Sequence, residues 1–256
     1  MNIDVPTKIN RLLQKVPPNG VYLASWMNEN GISYGLQRHY RKYQWLTSVG
    51  TGAFVRTGEV PSMYGAVWSL NEQTGKHFSI GAMSALDING YVHYLPMGKQ
   101  TLTLFSPKNE RLPVWFINND WETKIRHHTT DFLDDDEGVN KTTINGFILP
   151  VSSPERAFME CLQLAPQYYD LMDLYYVMEM LSILPPSKVQ VLLEKCKSIK
   201  VKRLFLYMAE KSGHDWFKAL DLSEVTLGNG KRMIVRNGVY NHKYQITVPK
   251  ELDNAE

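Results

Sequence analysis

Residues 27–46 read MNENGISYGLQRHYRKYQWL, two short apolar patterns separated by a polar break with a glycine at position 31. The second pattern carries Arg38, Arg41 and Lys42 and no acidic residue. Gly31 suits a turn that needs positive φ, and Ser33 is placed to cap the helix that follows, with Leu36, Tyr40 and Tyr43 on its inner face. Upstream, Asn19-Gly20 opens a helix with Val21, Ala24 and Met27 or Trp26 facing inward. Before it, Ile9, Leu12, Leu13 and Val16 recur at helical spacing until Pro17-Pro18 stops the pattern. Downstream, LTSVGTGAFVRTG gives strand-like Leu46–Val49, a Gly50-Thr51-Gly52 turn and strand-like Ala53–Arg56. Three short helices and then a hairpin is the order of a winged helix-turn-helix.

In that arrangement the helix from Ser33 is the recognition helix, and its outer face carries Tyr34, Gln37, Arg38 and Arg41. Arginine can bond a guanine edge through two donors and glutamine an adenine edge, while Lys42 and Tyr34 suit phosphate. Arg56, at the end of the hairpin, is placed for backbone or minor groove. The same residues also fit a solvated basic face on a three-helix bundle. Asn30 and Gln37 fall where the strictest helix-turn-helix patterns are apolar.

Charge supports the first reading. The 256-residue chain has a net charge of +2, but residues 1–58 hold seven Lys/Arg and two acids, an excess of five positive charges. The rest therefore carries an excess of three negative charges. A basic N-terminal module on a slightly acidic body is the layout of a nucleic-acid-binding head. No apolar run approaches the ~20 residues that span a bilayer, and residues 1–16 lack the core and cleavage site of a signal peptide, so a cytoplasmic protein without a membrane partner is expected. Cys161 and Cys196 lie in apolar helical patterns and are expected as buried free thiols.

Beyond residue 60, SMYGAVWSL is expected as a helix, and GAMSALDING as a shorter helix ending in an Asn89-Gly90 turn. TLTLFSPKNERLPVWFI alternates as a hairpin, and INGFILPV is strand-like. Ser152 and Glu155 have capping-box spacing ahead of a helical segment that runs to about residue 220. His127, His128, Asp131 and Asp134-Asp135-Asp136-Glu137 offer the carboxylates and imidazoles of a divalent-metal site for phosphodiester chemistry. Against this, adjacent histidines diverge on any regular element, and consecutive acids in a Gly/Asn-bounded loop are commonly a solvated surface. No catalytic residue, metal site or cofactor is assigned. Lys195, Lys197, Lys200, Lys202 and Arg203 form an acid-free patch within nine residues. It suits DNA phosphates, RNA or an acidic partner, or a solvated helix end.

The stretches ASWMNENGISYGLQRHYRKYQWLTSVGTGAFVR (24–56), HFSIGAMSALDINGYVHYLPMGKQTLTLFSPKNERLPVWF (77–116), SSPERAFMECL (152–162), SIKVKRLFLYMAEKSGHDWFKAL (198–220) and KYQITVP (243–249) resemble, in order, the AbiEi family of antitoxins and transcriptional regulators from type IV toxin–antitoxin systems. The resemblance implies a repressor that binds inverted repeats in its own promoter and, through its C-terminal domain, counters a nucleotidyltransferase-type toxin. It places the DNA-contacting helix at Ser33–Trp45 and the wing at Thr47–Arg56. Lys197, Lys200, Lys202 and Arg203 become candidates for the antitoxin surface or for auxiliary DNA contacts. A stable complex with the toxin is not required by the type IV label, and a monomer that pairs on DNA is expected.

The expected fold is α+β: a winged helix-turn-helix over 1–58, or extended to about 95, and a mixed α/β antitoxin domain over 59–256. The alternatives are a metal-dependent nuclease or nucleotidyl-transferring enzyme using Asp131 and Asp134–Glu137, and an interaction scaffold whose head never meets DNA.

Overall fold

The computed structural model describes residues 7–91 and 101–255. The chain begins with α1 (Lys8–Leu13), β1 (Tyr22–Leu23), α2 (Ala24–Glu29), α3 (Tyr34–Lys42), β2 (Leu46–Gly50) and β3 (Ala53–Arg56). The three strands form an antiparallel sheet in the order β1-β3-β2. Ile9, Leu12, Val16, Tyr22, Met27, Ile32, Tyr40, Leu46 and Phe54 close around one another as a separate small core. The expected helix at Asn19-Gly20 is displaced. Asn19 has φ 64° and Gly20 bonds back to Pro17, so residues 17–20 turn, β1 follows and α2 starts only at Ala24.

The body continues with α4 (Met63–Thr74), β4 (Ser79–Ile80), α5 (Ala82–Ile88), β5 (Thr101–Ser106), α6 (Val114–Ile117), β6 (Lys124–Thr129), β7 (Val139–Ile144) and β8 (Phe147–Ser152). Strands β6-β5-β4-β8-β7 make a mixed five-stranded sheet. Helices α7 (Pro154–Leu164), α8 (Leu171–Met180), α9 (Pro186–Lys195) and α10 (Ile199–Lys211) follow; α7 packs on α5, α8, α9 and α10. A small sheet of β9 (Arg232–Met233), β10 (Val239–Asn241) and β11 (Ile246–Val248) and the short α11 (Lys250–Asn254) end the chain. Helix α7 has Ser153 at its N-cap position, without a side-chain capping bond, and Pro154 in its first turn, one residue later than the capping-box spacing suggested. Ser152 instead points inward and donates to Glu160 at 2.9 Å.

The expected hairpin over 101–117 does not form. Pro113 has no N–H for a ladder and starts the single helical turn of α6, while the flank of β5 is taken by β6 in parallel register. Strands β6 and β7 gave no apolar alternation because they are the two edges of the sheet and carry polar, half-exposed residues, as edges do. The strand-like stretch INGFILPV is divided by a turn: Asn145 and Gly146 both have positive φ, the geometry of a two-residue hairpin turn, and β8 starts only at Phe147.

Helix α4 joins the two parts. Its Gly65, Ser69 and Gln73 lie one turn apart on a single face, against the outer edge of β1. Gln73 accepts from the Leu23 N–H at 2.8 Å and donates to the Val21 carbonyl at 2.6 Å, and Ser69 accepts from the Val21 N–H at 3.0 Å. All of these groups are buried, so losing the amide strands a donor and an acceptor. Gln73→Ala should therefore cost roughly 2 kcal/mol or more in urea unfolding, against a change within about 0.5 kcal/mol for the neighbouring Glu72→Ala. Equal midpoints for the two variants would show that α4 does not hold the strand.

Candidate nucleic-acid interface

Ser33 caps α3 and accepts from the Leu36 N–H at 3.4 Å, while the Gly31 turn between α2 and α3 has φ 81°. Ile32, Gln37 and Tyr40 face the small core. This leaves Tyr34, Arg38, Arg41 and Lys42 exposed on the outer face, with Ser33 at its start. The Arg41 guanidinium lies 5.3 Å from the centre of the Phe54 ring and the Lys42 ammonium 5.8 Å from that of Tyr43. Such contacts orient a cation without neutralising it. Among the described residues, none of Arg38, Arg41 and Lys42 makes an ion pair. Thr47 and Ser48 of β2 continue the exposed polar surface beyond the helix.

Two members of the expected set are engaged within the chain. Gln37 is only 3% exposed, and its amide donates to the carbonyls of Ala24 and Ile32, both at 2.9 Å. It satisfies two carbonyls, at the start of α2 and in the turn before α3. Arg56 bends back along the sheet, donating to the Leu13 carbonyl at 3.2 Å and pairing with Glu59 at 3.4 Å. It ties the hairpin to the end of α1.

The second basic patch is dispersed. Arg203 is 1% exposed and donates to the carbonyls of Leu227, Gly228, Gly230 and Gln245, so it organises the loop before β9. Lys202 is 4% exposed and donates to the Thr226 carbonyl. Lys200, half-buried, donates to the carbonyls of Gln163 and Ala165, and burial lowers its pKa. Lys197 stays exposed and pairs with Asp134 at 2.9 Å, and Lys195 pairs with Glu137. Sequence spacing alone could not separate these burial states. The patch is not a continuous basic surface.

The acidic loop has a structural role that sequence reasoning missed. Arg156 of α7, 3% exposed, pairs with the fully buried Glu160 at 2.9 Å and donates to the carbonyls of Asp134, Asp135 and Glu137. The loop is thus folded around a buried guanidinium, with its carbonyls inward. Hydrogen bonds from Lys108 and Lys197 hold the Asp131 and Asp134 carboxyls below the usual carboxylate range. His127 and His128 occupy alternate faces of β6; His127 shares a 2.8 Å hydrogen bond with Ser106 and lies against Phe78, and His128 lies between Phe105 and Tyr168. Among the described residues no group of three or more His, Cys, Asp or Glu side chains could hold a metal ion. Cys161 and Cys196 are buried free thiols, and burial pushes both thiol pKa values up. Tyr175 is buried, whereas Tyr168, Tyr169 and Tyr176 line a cavity of about 1080 Å³ with Tyr64, Asp87 and Arg126. Among the described residues no helix is long and apolar enough to cross a membrane.

Two descriptions of transcriptional regulators adjoin along this chain and cover nearly all of it. "Transcriptional regulator, AbiEi antitoxin N-terminal domain" matches residues 6–97, and "Transcriptional regulator, AbiEi antitoxin, Type IV TA system" matches residues 99–249. The chain belongs to the AbiEi family of antitoxin transcriptional regulators of type IV toxin–antitoxin systems. Its fold is similar to the crystal structure of the RV2827C protein from Mycobacterium tuberculosis, with a TM-score of 0.59 at 15% identity over 95% of this chain and 92% of that one. No curated protein matches the sequence.

The two histidines of β6 bear on pH. Burial is the first cause that lowers both imidazole pKa values, reinforced at His127 by His128 and at His128 by Arg126. The unfolded chain then takes up these protons first, so stability is full above the ordinary imidazole value and is lost as pH falls below about 6.5 toward the folded-state values. Urea midpoints should drop between about pH 7.5 and pH 5.5, and drop less in His127→Gln/His128→Gln. An equal drop in parent and double variant would place the effect elsewhere.

Proposed function

We propose that residues 7–57 form a winged helix-turn-helix head that binds the protein's own promoter at inverted repeats, with α3 in the major groove and one molecule on each repeat. Arg38 and Arg41 read base edges, while Tyr34, Lys42 and the Ser33 end of the helix contact phosphates, and the β2–β3 hairpin lies alongside the backbone. The observation that carries this reading is the exposed face of α3, where Arg38, Arg41 and Lys42 stand without an acidic partner among the described residues, in a segment whose excess of five positive charges exceeds the chain's net +2. The order helix–strand–helix–helix–hairpin and the family's description as transcriptional regulators support it. Gln37 and Arg56 are left out of the DNA-contacting set, because Gln37 is buried in the head and Arg56 is engaged with the Leu13 carbonyl and Glu59.

The C-terminal body carries the antitoxin role in this reading and counters a nucleotidyltransferase-type toxin without needing a stable complex. The dispersal of Lys197, Lys200, Lys202 and Arg203 means that no basic surface is assigned to that role. The metal-dependent enzyme reading is not adopted: the loop that suggested it is built around Arg156, and its Asp131, Asp134 and Glu137 carboxylates pair with lysines.

Fluorescence anisotropy with the protein's upstream duplex, against a scrambled duplex over a range of salt, tests the head. Arg38→Ala and Arg41→Ala should each cost about 1–3 kcal/mol on the native duplex only. Lys42→Ala should weaken both duplexes alike and lower the salt slope by roughly one unit. Binding by all three variants that matches the parent would sink the assignment of α3.

A further inference from the structure

The hairpin that follows α3 is held at its tip from both sides. On one side, the Gly52 carbonyl accepts from the Ala24 N–H at 2.9 Å. On the other, β2 lies directly on α6. A Cβ built on Gly50 would sit 2.6 Å from Trp115 Cβ and 3.1 Å from Trp115 Cα. No side chain fits there without moving one of the two elements. A register shift between Ser48 and Gly50 makes the approach possible, and it turns Val49 toward the main core. Trp115 is a fixed surface rather than a flexible one: it is 6% exposed, and Phe116 beside it is fully buried and accepts through its carbonyl from Trp121 Nε1 at 2.7 Å.

The basic helix shares this constraint. Only Tyr43, Gln44 and Trp45 separate α3 from β2, and the Trp45 N–H bonds the Tyr40 carbonyl at 2.9 Å, so helix and strand meet in one hydrogen-bonded corner. Moving β2 therefore moves α3.

We propose that Gly50 is a positioning residue for DNA binding: its close approach to Trp115 sets the angle at which the body presents α3, so the C-terminal body takes part in recognition without touching DNA. The proposal rests on the DNA-binding reading above. A side chain at position 50 wedges β2 off α6 and tilts α3. Arg38 and Arg41 then lose their alignment with base edges, which demand close geometry. The cations stay exposed, so attraction to phosphates and its salt dependence persist.

The test uses the full chain with Gly50→Ala, Gly50→Val and Val49→Ala, the native and scrambled duplexes, and near-ultraviolet circular dichroism to check folding. Gly50→Ala should lower affinity for the native duplex by roughly tenfold, the scale of overpacking a filled contact, and Gly50→Val should lower it further. Scrambled-duplex affinity and the salt slope should stay at the parent's values. Val49→Ala loosens the same anchor without a clash, should fold, and should lower the native preference by about threefold; should the Gly50 variants not fold, this variant decides. Preference for the native duplex kept at the parent's level by the folded variants overturns this proposal alone. A parent that shows no such preference overturns the DNA-binding reading and this proposal with it.

Discussion

The edge of β1 is the constraint on which the rest of the structure depends. A three-stranded sheet in the order β1-β3-β2 leaves the backbone groups along the outer side of β1 without a strand partner. Helix α4 supplies those partners from side chains, with Gln73 serving as both donor and acceptor and Ser69 one turn earlier. Gly65, one turn earlier again, lets the helix come close, since a Cβ there would lie 2.7 Å from the Asn19 carbonyl oxygen and from the Phe147 ring. The alternation of strand side chains then makes the little sheet a wall shared by two cores. Tyr22 and Phe54 face the head, while Val21, Leu23, Ala53 and Val55 face the body. Head and body are thus joined through buried hydrogen bonds on the edge of β1 and through apolar contact across one face of the sheet.

Charge is handled differently on the two sides of that wall. In the basic stretch over 195–203 of the body, Lys195 and Lys197 meet acids of the loop over 134–137, and Lys202 and Arg203 are buried against carbonyls. Arg156 and Glu160 form a buried pair whose further hydrogen bonds to carbonyls, to Ser152 and to the Ala82 N–H satisfy its remaining groups, the condition under which a buried ion pair is tolerated. In the head, Arg38, Arg41 and Lys42 on the outer face of α3 make no ion pair among the described residues. A basic face without ion pairs is a natural place for a polyanion to bind.

The head was legible in the sequence because its signals are local. A cap at Ser33, a turn glycine at position 31 and the Gly-Thr-Gly hairpin each depend on residues a few positions apart, and helix α3 and both hairpin strands lie where those signals put them. The body was less legible where its order is set by distant partners. Edge strands β6 and β7 look like polar loop, and α6 looks like half of a hairpin until β6 is seen to take the flank of β5. Site residues divide in the same way. Exposure of Arg38 and Lys42 follows from helical spacing, but burial of Gln37, Lys202 and Arg203 follows from carbonyls that only the folded chain brings near them. The stripe Gly65, Ser69, Gln73 lies at one-turn spacing along α4. Read as a face rather than as three separate residues, it marks where backbone from elsewhere must arrive.

The most direct test of the account is hydrogen–deuterium exchange on the full chain with and without its upstream duplex. The account requires slowed exchange in peptides spanning residues 33–48, where the unmatched face lies, and unchanged exchange in peptides spanning 195–203, whose cations are already engaged. Protection confined to 195–203, or none over 33–48 at a saturating concentration of duplex, would contradict it.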